Sequence, residues 1–245
     1  MGNFFRSLIA IFSVTLLASC VNAPKRLAFD RDAASSVKTI SVLEMRESQI
    51  DLRIFNDPAY YFGLIGAGIA EANRAPKANW LRGQVDQAHF DHIGVFRDRL
   101  DAAMKDRGFA LQWNESTSDP ANKKISRDQY GLRKHYMPTT QADGQLDVNF
   151  SFIGYAAGGT GDNTPYFPTV VVSARLLDAS GQHVLFEDIL IYNNIFPGLE
   201  SARSIKPDDT YRYPAFDDLK AAGPTVIDGL KLAFQTTADE LAKQF

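Results

Sequence analysis

Three consecutive strands between residues 146 and 193 constrain this chain more than any other feature. Leu146, Val148, Phe150 and Phe152 alternate with Asp147, Asn149 and Ser151, a period of two that sets one apolar face against a core. Two more apolar stretches, 169–177 and 183–193, flank Asp178-Ala179-Ser180-Gly181-Gln182, whose composition predicts a hairpin turn. Such strands need sheet neighbours and a layer to cover their apolar face.

The remaining elements supply both. A β-rich run, Val37-Lys38-Thr39-Ile40-Ser41-Val42-Leu43, predicts the first strand, and Ile50, Leu52 and Ile54 alternate within 49–55 as a second. A helix is expected over 85–107, with Ile93, Phe96, Leu100 and Ala103/Met104 on one face and Gly108 as its stop. Phe109, Leu111 and Trp113 then alternate as a strand. Residues 75–83 read as broken by Pro76, and 114–144 as polar and irregular with a short helix inside 127–135. Residues 190–216, punctuated by Pro197, Pro207 and Pro214, are expected as a surface excursion. A closing helix is predicted from Pro224 to Ala242, its stripe made of Ile227, Leu230, Phe234, Ala238 and Leu241. Strand–helix–strand, three strands, then a helix predicts an α+β fold: one mixed sheet with helices packed on it, spanning 37–245 as a single domain.

This order resembles the periplasmic domain of outer-membrane lipoproteins of the curli-secretion and flagellar-accessory types. The matching stretches are Gly108-Phe109-Ala110-Leu111 and Ala174-Arg175-Leu176-Leu177-Asp178-Ala179-Ser180-Gly181-Gln182-His183-Val184-Leu185. Both patterns are short, so the resemblance implies a shape class and no shared activity.

The beginning of the chain carries an address. Arg6 supplies charge, residues 8–17 (LIAIFSVTLL) form an apolar core, and small residues follow. That core is far below the roughly 20 residues a spanning helix needs, so it predicts a removed signal. Leu17-Ala18-Ser19-Cys20 resembles the lipobox of bacterial lipoproteins. The resemblance implies a signal peptide over 1–19, diacylglycerol and a further acyl group such as palmitate on Cys20, and anchorage in the bilayer. Val rather than Asp at position 21 implies the outer membrane, with the domain facing the periplasm. Residues 20–36 are then expected as a flexible tether.

Composition narrows what the exported domain can do. The 245 residues carry 26 basic and 29 acidic side chains, and loss of Arg6 with the signal takes the balance from −3 to −4. That balance has no footprint for nucleic acid or for anionic lipid. Cys20 is the only cysteine, so once lipidated it leaves neither disulfides nor thiol catalysis.

Several motifs invite chemistry. Gly66-Ala67-Gly68-Ile69-Ala70-Glu71 opens like a dinucleotide fingerprint, but Glu71 stands where a small residue must pack and no Val/Ile-rich strand leads in. His89 and His92 lie three apart beside Asp86 and Asp91, with His135 and His183 too far in sequence to promise a third ligand. Gly158-Gly159-Thr160-Gly161-Asp162-Asn163 is rich enough in glycine to cradle an anion but lacks the following Lys of a phosphate loop. Asp208/Asp209 and Asp217/Asp218 sit in turn-like sequence. No cofactor, metal or catalytic residue is predicted.

What remains is residues 58–75, a glycine-rich helical insertion headed by Tyr60, Tyr61 and Phe62. Gly63/Ala67, Gly66/Ala70 and Gly68/Ala72 are small-x-x-x-small pairs that let another backbone come close. The segment can dock on a membrane or partner, or be buried against the domain's own sheet. Tyr60, Tyr61, Phe62, Gly63, Gly66 and Gly68 are the candidate contact residues. The expectation is a non-enzymatic envelope lipoprotein that binds another envelope protein or itself as a scaffold, assembly or transport-accessory component. The alternative is a binder of lipid or glycan using Tyr60, Tyr61, Phe62, Tyr166 and Phe167.

Overall fold

A computed structural model describes residues 26–32, 34–114, 125–161 and 163–245, so Cys20 and its lipobox lie outside the described residues. The fold is α+β. Among the described residues, eight strands form one mixed sheet: β1 (Thr39–Val42), β2 (Arg46–Glu47), β3 (Ile50–Ile54), β4 (Ala110–Trp113), β5 (Gly144–Ala157), β6 (Tyr166–Asp178), β7 (Val184–Tyr192) and β8 (Arg203–Ile205). The α-helices among the described residues are α1 (Gly63–Gln87), α2 (His92–Lys105), α3 (Phe216–Ala221) and α4 (Thr225–Ala242).

β5 is the spine. One edge pairs with β6 in antiparallel fashion, and the other takes β1, β2 and β3 in turn, all parallel to it. The path runs β4-β1-β5-β6-β7-β8, with β4 parallel to β1 and β8 parallel to β7. Antiparallel β5–β6–β7 are the three strands read from alternation, and the turn at 178–182 joins β6 to β7.

The alternation on β5 does not run straight through. Leu146, Val148 and Phe150 face the helices, but the register slips between Phe150 and Phe152. One extra residue, Ser151, moves the chain out of phase, so Ile153, Tyr155 and Ala157 face the helices instead. Phe152 therefore lies in a second cluster on the opposite face, with Ala156, Val171, Ile189 and Ile191. Residues 194–202 cover that cluster through Ile195, Phe196 and Leu199, so the stretch expected as an excursion is packed and leads into β8.

The helix expected over 85–107 is two helices. α1 runs through Pro76 without ending, then stops at Gln87; His89 takes φ 46° and the Asp91 carboxylate caps α2 by accepting from Gly94 N at 2.8 Å. A proline inside a helix costs roughly 3 kcal/mol. Beyond it Ala78 and Leu81 are fully buried and Arg82 Nε donates to the Ile50 carbonyl at 2.9 Å, contacts that offset such a loss. α4 begins one residue after Pro224 and buries Leu230, Phe234, Ala238 and Leu241 as predicted.

The polar side of β5 is buried as well. Asp147 accepts from Arg133 N at 2.7 Å and from Tyr136 Oη at 2.9 Å, and Asn149 donates to the Tyr130 carbonyl at 2.9 Å. Residues 125–143 form a strap held there, with an Arg127–Arg133 bridge in place of the expected short helix. The N-terminal stretch is also docked from Leu27 onward. Leu27 exchanges both backbone hydrogen bonds with Glu187, and Phe29 packs on Phe109 and Phe245.

Candidate functional site

The site is the head of α1 and the turn that precedes it. Pro58–Phe62 form a 3₁₀ turn, started by the fixed φ of Pro58 and by Asp57, whose carboxylate accepts from Ala59 N at 2.9 Å. Gly63, at φ 63° and ψ −145°, redirects the chain into α1 through a conformation closed to other residues. At Gly66 the turn folds back on the helix so closely that a Cβ would sit 1.8 Å from the Ala59 carbonyl oxygen. Gly63 and Gly66 thus build the corner. Gly68 has open space around it and is exposed.

This corner leaves a large apolar surface uncovered. Tyr61, Phe62, Leu64, Ile65 and Ile69 are between 61% and 94% exposed, while Tyr60 is half-buried. Single exposed apolar residues are ordinary, but five large ones within nine positions form a contiguous patch of the sort that marks a docking surface. Gly66 and Ala70 face inward, whereas Gly68 and Ala72 face out between Leu64, Ile65 and Ile69. Of the three small pairs, Gly68/Ala72 is the one available to another molecule. Leu64, Ile65 and Ile69 were not among the residues singled out from sequence. Their 3–4 spacing with Gly68 and Ala72, opposite Gly66 and Ala70, was the available signal.

Charge borders the patch where α1 continues beyond Ala70. Arg74 donates from Nε and Nη2 to Glu71 at 2.8 and 2.6 Å, and its Nη1 pairs with Asp51. The Arg74 bond lowers the Glu71 carboxyl below its ordinary range, and that bond together with the neighbouring carboxylates raises the Arg74 guanidinium further. The cleft beside Tyr60, lined by Leu52, Ile54, Ala70, Asn73 and Lys77, holds about 20 Å³, little more than one water. Tyr166 is buried in β6 and bridged to Tyr213.

The other motifs resolve into local structure. Gly66-Ala67-Gly68 lies inside a helix, not at a strand-to-helix turn. His92 Nε2 meets Glu47 at 2.6 Å and His183 Nδ1 meets Asp178 at 2.8 Å. Among the described residues no three His, Cys, Asp or Glu side chains are grouped to hold a metal ion, and no helix is long and apolar enough to cross a membrane.

No family model and no curated protein matches the chain. Among solved structures it is similar to a Xanthomonas campestris protein of family DUF330 (TM-score 0.39, 14% identity, 90% of this chain and 90% of that one). It is also similar to a hypothetical protein of Chlamydia trachomatis (TM-score 0.36, 11% identity, 84% of this chain and 96% of that one). Similarity at this level identifies neither an activity nor a partner.

Proposed function

We propose that this chain is a non-catalytic, lipid-anchored component of the bacterial envelope that uses the head of α1 to dock an apolar surface of another envelope protein. The carrying observation is where the patch lies relative to the end that leads back to Cys20. Leu27 pairs with Glu187, which stands opposite Arg175, itself opposite Asp147; β3 ends beside Ala157, at the other end of β5. Counting about 3.3 Å per residue along β5 and 4.8 Å per strand across it, the two corners are roughly 35 Å apart. The seven residues from Cys20 to Leu27 reach at most about 25 Å. In this reading the bilayer holding acylated Cys20 lies at the Leu27 corner, and the α1 head is turned to a partner beyond it.

The reading is tested with a photo-crosslinking residue at Leu64, and a control at exposed Lys231, in the lipidated protein in intact cells. Protein adducts from position 64 that disappear when Ile65 and Ile69 are changed to Asp support it. Adducts to lipid alone from position 64 would replace the partner with the bilayer. A Cys20→Ser variant that still sediments with membranes after a carbonate wash would remove the anchor from the account.

A further inference from the structure

Beside the apolar head, on the same flank of the sheet, three guanidinium groups line one groove. Arg53 comes from β3, Arg74 and Arg82 from α1, and Ser48, Gln49, Asp51, Ser151 and Phe152 complete a space of about 260 Å³. This is a local excess of positive charge on a protein whose net charge is −3. The groove exists because both of its strands leave regular pairing at one place: Ser48 and Gln49 separate β2 from β3, and Ser151 is the bulge of β5.

Asp51 does not neutralise the groove so much as arrange it. Its Oδ1 takes the Leu52 N–H at 2.8 Å and the Arg74 Nη1, and its Oδ2 takes Arg53 Nε at 2.9 Å, so both oxygens are engaged. Arg82 is fixed in turn by Nε on the Ile50 carbonyl at 2.9 Å and Nη1 on Asn79 at 2.7 Å. Those bonds leave the terminal nitrogens of Arg53 and the Nη2 of Arg82 with no protein acceptor among the described residues. A second observation points the same way. The Ser48 hydroxyl, on the wall of the groove, is buried without a hydrogen-bond partner. Prefixed guanidinium forks from different directions, with an unpaired hydroxyl on the groove wall, suit an oxyanion with several oxygens rather than a flat carboxylate.

We propose that this groove binds a phosphate group carried on a larger molecule, with Arg53 and Arg82 as its principal donors and Ser48 as a third. Its volume exceeds that of bare phosphate, so the ligand class is a phosphate ester, either a soluble one or a phospholipid headgroup. The site is separate from the docking reading, since it requires neither the anchor nor the partner.

The test titrates the full chain with inorganic phosphate and with glycerol phosphate by calorimetry. A parallel arm measures flotation with phosphatidylcholine vesicles made with and without phosphatidylglycerol. Saturable binding that weakens about tenfold in Arg53→Gln, the loss of one charge-assisted contact, is the expected result. Ser151→Asp, at the exposed lip, should abolish it, and Lys231→Gln should leave it unchanged. Melting temperatures matching the parent exclude a folding defect as the cause. Binding confined to phosphatidylglycerol vesicles, and lost in the same variants, assigns the phosphate to a lipid headgroup. Binding of phosphate or its ester in solution assigns it to a soluble ligand. No saturable binding in either arm, or binding that Arg53→Gln and Ser151→Asp leave intact, overturns the proposal.

Discussion

The Tyr155 hydroxyl crosses the core from β5 to donate to the Val226 carbonyl in the first turn of α4, at 2.9 Å. That reach needs the helix to sit unusually close to the sheet, and Gly229 is what permits it. A Cβ at position 229 would lie 2.5 Å from the Tyr155 oxygen and 3.0 Å from the Tyr211 ring. Gly229→Ala should therefore destabilise the protein by about 1–3 kcal/mol, against the usual gain from alanine in a helix. Urea unfolding of the variant checks this, and Tyr155→Phe in the same background should recover part of the loss by removing the atom in the way.

α1 offers a sharper contrast within a single turn. Gly66→Ala drives a methyl into the Ala59 carbonyl and should break the corner that presents Tyr61 and Phe62. Gly68→Ala meets nothing and should stabilise by roughly 0.5–1 kcal/mol through helix propensity. Thermal melts of the two variants should move in opposite directions. Equal shifts would mean the 3₁₀ turn does not lie against α1.

The strap over 125–143 depends on Arg175. Its Nε donates to Glu187 at 2.7 Å, Nη2 to Asp128 at 2.9 Å, and Nη1 to the Arg133 carbonyl at 3.0 Å. Arg175→Met leaves the mostly buried carboxylates of Asp128 on the strap and Glu187 on β7 without their shared guanidinium and should cost about 3 kcal/mol. Adding Glu187→Gln should return part of that, a coupling that a double-mutant cycle measures directly. Proteolysis between residues 125 and 143 should accelerate in the single variant before global unfolding does.

How far the sequence disclosed all this follows from the range of the forces involved. The strands β5, β6 and β7 and the helix α4 announce themselves because each buries a face whose period is local. The Ser151 bulge is invisible in the same pattern, since Phe152 continues the alternation on paper while facing the other way in space. Helix continuity through Pro76 was equally hidden, because what offsets the proline is burial of Leu81 and Ala78 against residues far away in the chain. The strap looked structureless for a similar reason. Its fixing points, Asp147, Asn149 and Arg175, are polar residues on strands, which read as solvent-facing until a cover is placed over them. At the candidate site the aromatic head and its glycines were legible as unusual composition. The chain-turning role of Gly63, the inward role of Gly66, and the outward face of Leu64, Ile65 and Ile69 needed the turn geometry.

Asp178, in the turn between β6 and β7, sets an acid limit on stability. Burial alone raises its carboxyl, but the His183 ring, the Ser180 hydroxyl and the backbone N–H groups of His183 and Gln182 together outweigh that and hold it at about 2. An aspartate in an unfolded chain titrates near 3.9, so the folded form binds its proton more weakly. The stability this confers is complete above that unfolded value and is lost as pH falls toward the folded one. Asp178→Asn should lower stability at neutral pH and flatten its decline between about pH 4 and pH 2. The check is the urea midpoint of parent and variant across that interval: the gap between the two curves should close as the pH drops. A gap that stays constant would show that the turn's hydrogen bonds, and not the charge of Asp178, carry the effect.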